Sequence, residues 1–77
     1  MTISAEHRII IRDILNRRQE AVPLIEARIL EIGAENTRDP WEGHVAQMKR
    51  LETRLERYRK EVGALEAVLQ ETSRFGH

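Results

Sequence analysis

Cysteine is absent from this 77-residue chain. That excludes disulfides and any thiolate metal site. Aromatic residues are scarce: Trp41, Tyr58 and Phe75 are the whole set, too few for a base-stacking platform. The four glycines and two prolines are scattered, so there is neither a glycine-rich phosphate loop nor a flexible linker dividing the chain. Charge of one sign is lacking too. Thirteen basic residues balance thirteen acidic ones, leaving no global field to steer nucleic acid or an acidic partner. Long apolar runs are missing. The longest, Ile9-Ile10-Ile11, falls far short of the ~20 residues a membrane span needs. Residues 1–6 lack a basic region followed by an apolar stretch, so no secretory signal is read there and a cytoplasmic setting is expected.

Apolar residues spaced alternately by three and four are present. One stripe runs through Ile11, Leu15, Val22, Ile25, Ile29 and Ile32. A second runs through Met48, Leu51, Leu55, Tyr58, Val62, Leu65 and Leu69. This is the heptad signature of two amphipathic helices. Ser4 reads as an N-cap with Glu6 in the first turn. Gly33 and Asn36 read as stop signals. Asp39-Pro40-Trp41-Glu42 reads as N-cap, first-turn proline and third-position glutamate. The expected layout is one domain over 1–77: a helix over about 4–35, a turn at 36–39, a helix over about 40–72 and a frayed tail at 73–77. So short a turn makes the helices antiparallel neighbours. Folding back at residue 38 pairs Ile32 with His44, Ile29 with Met48, Ile25 with Leu51, Val22 with Leu55, Arg18 with Tyr58, Leu15 with Val62 and Ile11 with Leu65.

The fold class is therefore all-α, an antiparallel two-helix hairpin with a heptad seam. Two helices cover only one stripe each, and the first helix has more. Beside its seam lies a second stripe of Ile3, Ile10, Ile14, Ala21 and Leu24, with Arg17 and Arg28 at the gaps. Such a surface calls for another helix. The expectation is a homodimer closing into a four-helix bundle, or docking to a different protein.

Arg18 occupies a seam position opposite Tyr58, where a guanidinium needs acceptors or an aromatic face. Pro23 lies nearby, removes a hydrogen bond to the Gln19 carbonyl and is expected to kink the helix. The favoured role for this polar spot is control of register; a recognition point is the other. Trp41 near the turn is a possible interface anchor. Lys49, Arg50, Arg54, Arg57 and Lys60 form a possible basic band for phosphates. Against nucleic acid stand the zero net charge and the scatter of these residues around the helix. His7, His44 and His77 are spread along the chain, and Glu42-Gly43-His44 lacks metal-motif spacing. No metal, cofactor, membrane or small-molecule substrate is expected, nor a catalytic group, because no nucleophile has a neighbouring base.

The functional expectation is a small non-enzymatic protein-interaction module: an adaptor, an inhibitor or a chaperone for another amphipathic helix. In size and hairpin design the chain resembles the small co-chaperones of type III secretion needle subunits, and also small phage-encoded inhibitors of bacterial proteins. No sequence motif carries either likeness, and no residue role is transferred. The alternative class is a small helical-bundle nucleic-acid binder using the basic band.

Overall fold

A computed structural model describes residues 4–75, with side chains through position 71. It contains two helices, α1 (Ala5–Arg38) and α2 (Glu42–Phe75), packed along their lengths as an all-α hairpin. The molecule is a rod 57 Å long and 15 Å across. Neither helix is long and apolar enough to cross a membrane among the described residues. Ile3, Gly76 and His77 lie outside the described residues, as do the side chains of Ser73, Arg74 and Phe75.

Sheltered positions reproduce the heptad. In α1 they step through 8, 11, 15, 18, 22, 25, 29, 32 and 36; in α2 through 44, 48, 51, 55, 58, 62, 65 and 69. Leu15, Ile25, Ile32 and Leu55 are buried, and Ile32 is the most enclosed. The rest of the seam is half-buried, as expected where two helices meet along a single stripe. Arg8 and Asn36 extend the seam beyond its apolar members.

Three local expectations are corrected. First, α1 does not stop at Gly33 or Asn36. No described residue has the left-handed backbone those stops would need, and the helix continues to Arg38, where the Asp39 amide still donates to the Glu35 carbonyl at 2.9 Å. Second, Asp39 does not cap α2. The Trp41 amide donates instead to Asn36 Oδ1 at 3.0 Å, and the first backbone bond of the turn runs from His44 N–H to the Trp41 carbonyl. A side chain from the last turn of α1 thus closes the connection and starts α2. Third, α2 remains helical through Phe75, into the segment read as a frayed tail.

The longer α1 moves the centre of the turn to Pro40, and the register moves with it. Residues equidistant from position 40 lie level, so Ile32 faces Met48, Ile25 faces Leu55 and Leu15 faces Leu65. The grooves between the helices follow this register: Gln19 and Val22 share one with Arg59 and Val62, and Glu26 and Ile29 share another with Glu52 and Leu55. A Cβ at Gly33 would stand 3.8 Å from the Met48 sulfur. The pairings set about residue 38 are therefore displaced by about one helical turn, except that the long Arg18 side chain still reaches Tyr58. A heptad stripe permits this, because sliding by one a-to-d step again lays apolar residues on apolar residues.

Candidate docking face

At the centre of the seam, the Arg18 guanidinium lies 4.4 Å over the Tyr58 ring. Its Nε is 2.8 Å from a Glu61 carboxylate oxygen, yet the N–H is not aimed well enough to make a hydrogen bond. The contact is a charge pair beside a cation–π contact: the ring supplies the aromatic face, while the buried Nε–H is left without a hydrogen bond. Glu61 stands four residues after Arg57 on α2, the spacing of an intrahelical pair, but it is drawn across to Arg18 instead. The other intrahelical pairs form as the spacing implies: Asp13 with Arg17 at 3.1 Å and Glu56 with Lys60 at 3.3 Å. Pro23 is exposed, and α1 runs unbroken through it.

The two long faces of the hairpin differ. One is laced shut by Gln19 donating to Glu66 at 2.9 Å and by Arg59 with Glu26 at 3.6 Å. The other holds the second stripe of α1. Its apolar members are open to solvent: Ile10 is 54% exposed, Ile14 40% and Leu24 72%. Ala21 is half-buried, and Arg17 is exposed. On the same face α2 presents a heptad row, Gln47, Arg50, Arg54, Arg57, Glu61, Ala64 and Val68. The two rows meet where Arg28, Ile32, Gln47, Arg50, Leu51 and Arg54 line one groove. Ile9 and Leu30 are also exposed, further round α1.

This face is bipartite. Toward the open end it is aliphatic; toward the turn it is basic. Arg28 is tied to Glu31 at 3.1 Å, while Arg50, Arg54 and Arg57 have no ion-pair partner among the described residues. The basic band of the sequence reading is thus divided. Arg50, Arg54 and Arg57 share the face that carries the second stripe; by helical position Lys49 and Lys60 belong to the outer back of α2.

At the turn, Trp41 is 60% exposed. Its ring meets His44 edge to face at 5.1 Å and covers Gly43, where a Cβ would collide with the indole. His44 Nδ1 is 3.3 Å from Asn36 Oδ1. Because that oxygen only accepts, the contact requires the proton on Nδ1. Sequence reasoning placed Trp41 and His44 at the turn but missed Asn36 as the residue that joins them. No protein-family model matches the chain, nor does any curated protein or solved structure.

Proposed function

We propose that this hairpin is a non-enzymatic protein-docking module whose working surface is the face built from Ile10, Ile14, Arg17, Ala21 and Leu24. One observation carries the reading. On this face α1 keeps Ile10, Ile14 and Leu24 40–72% exposed, although its own hairpin partner runs its whole length. Isolated exposed aliphatics are ordinary, whereas a row at helical spacing is the surface that a second helix covers. Helix-on-helix packing at 8–10 Å between axes would bury this row in the grooves of a partner. Adaptor, inhibitor and helix chaperone are all uses of that one physical act.

The test is a double substitution, Ile14→Asp with Leu24→Asp. It leaves the seam intact, so helicity should persist in circular dichroism. Association should be lost, seen as a smaller sedimenting species or as the disappearance of a specific co-purifying protein. Unchanged sedimentation together with an unchanged set of bound proteins defeats the reading.

A nucleic-acid reading draws on the unpaired Arg50, Arg54 and Arg57 beside Arg28. Phosphate binding there would fall steeply with salt. Retention on heparin that Arg50→Ala with Arg54→Ala abolishes would support that reading over protein docking.

A further inference from the structure

We propose that the occupant of this face is a second copy of the chain, laid α1 on α1 and antiparallel about a two-fold axis at Arg17. This deepens the docking reading and rests on it. The argument begins with the stripe itself, which is nearly symmetric about position 17. A two-fold there sets Ile10 against the partner's Leu24, and Ile14 against the partner's Ala21. Aliphatic meets aliphatic in both directions, as an isologous interface requires.

The charges follow the same axis. In the register centred on Pro40, position 17 of α1 is level with position 63 of α2. The two-fold then brings the exposed Glu6 against the partner's Arg28. It also brings the exposed Glu71 within one turn of the partner's Arg54 and Arg57, which lack ion-pair partners among the described residues of the isolated hairpin. Arg17 meets its own copy at the axis, but each is already neutralised by Asp13 at 3.1 Å.

Other two-fold arrangements match charge and apolar surface less well. Stacking the hairpins with both turns at one end lays Arg28 on the partner's Arg50 and Arg54. Full overlap with turns at opposite ends sets the aliphatic Ile10 against the partner's Glu35, where a carboxylate would be covered without a partner. The offset dimer overlaps along about 25 residues, or about 37 Å at 1.5 Å per residue. Two helices about 10 Å wide then cover roughly 750 Å² per partner, close to the ~800 Å² of a standard stable interface. Both turns, with Trp41, project beyond the overlap.

A chain without cysteine allows a clean test. Arg17→Cys should form a disulfide-linked dimer on mild oxidation, because residues on the axis approach within disulfide reach. Arg50→Cys, beyond the overlap, should remain unlinked. In sedimentation, Glu6→Arg should weaken the dimer at least threefold, and adding Arg28→Glu should restore it. That recovery cannot come from helix capping, which Glu6→Arg alone impairs. A monomer at all concentrations overturns the proposal while leaving open docking to another protein, which Ile14→Asp with Leu24→Asp tests separately. A dimer that links through Arg50→Cys but not Arg17→Cys overturns this register and leaves the docking reading standing. A dimer unmoved by Ile14→Asp with Leu24→Asp overturns the proposal, and an unchanged set of bound proteins beside it overturns the docking reading too.

Discussion

Arg18 and Tyr58 meet across the hairpin with the guanidinium 4.4 Å over the ring, a charge set into an otherwise apolar stretch of the seam. Glu61 completes the group. All three are half-buried, so water screens the ion pair and the gain is modest, about 0.5–1 kcal/mol from the cation–π contact and less from the charge pair. What the arrangement supplies is a level that fits poorly if the helices slip by a turn. An arginine then faces aliphatic neighbours without its ring or its carboxylate.

That gives the substitutions at Arg18 opposite signs. Arg18→Ala should lower unfolding free energy by about 1 kcal/mol, through lost stem packing and lost charge contacts. Arg18→Leu should leave the melting temperature unchanged or raise it, because an apolar seam residue costs no desolvation. It should also broaden the set of associated species seen in sedimentation, since the level no longer discriminates between registers. Thermal melts of the two variants side by side decide it; a Leu variant as unstable as the Ala variant makes the charge group the dominant stabiliser.

Ile32 is only 2% exposed, whereas Leu30, two positions earlier, is 75% exposed. Ile32→Ala should cost about 2–5 kcal/mol, the transfer term plus the cavity left behind. A hairpin this small has little reserve, so the variant should be largely unfolded at ambient temperature. Leu30→Ala should shift stability by less than about 0.5 kcal/mol. Equal losses in urea titrations would mean that Leu30 is covered in solution.

The fold was legible in the sequence because a heptad stripe is a repeated signal: positions 11 to 32 and 48 to 69 each vote for the same face. The turn was not, because it rests on single residues. Gly33 and Asn36 look like stops, but the seam continues past Gly33 and Asn36 still has a task inside the helix. Sequence alone sees a capping residue in Asp39, since the order Asp-Pro-x-Glu satisfies the local rule. It does not see that a side chain one turn earlier reaches the Trp41 amide first. The slip in register follows from that one local choice, and periodicity could not expose it, because a stripe displaced by one step still matches. The face proposed for docking was partly visible. Ile10, Ile14 and Leu24 announce themselves by spacing, whereas the gathering of Arg28, Arg50 and Arg54 on the same side depends on the true register.

Asn36→Ala tests that competition directly. Its Oδ1 serves the Trp41 amide at 3.0 Å and His44 Nδ1 at 3.3 Å. Losing a cap of this kind costs about 1 kcal/mol, within a range of about 0.5–2. Asp39→Ala should be nearly silent by comparison. Chemical denaturation of the two variants ranks them, and the reverse ranking would restore Asp39 as the cap of α2.

Glycine replacements separate space from propensity within α2. Gly63 sits inside the helix with nothing within 4 Å of the place a Cβ would occupy, and its backbone is not left-handed. Gly63→Ala should therefore stabilise the hairpin by about 0.5–1 kcal/mol, the difference in helix propensity alone. Gly43→Ala gains the same propensity term, but its methyl would strike the indole of Trp41. The ring must swing off Gly43 and give up its edge-to-face contact with His44, worth about 0.5–1.5 kcal/mol in aromatic pairs. The two terms are of similar size and opposite sign, so Gly43→Ala should be near neutral in stability while altering Trp41 emission. A Gly43 variant as stabilised as the Gly63 variant, with unchanged fluorescence, would mean that Trp41 does not rest on Gly43 in solution and that the indole is already free to meet a partner.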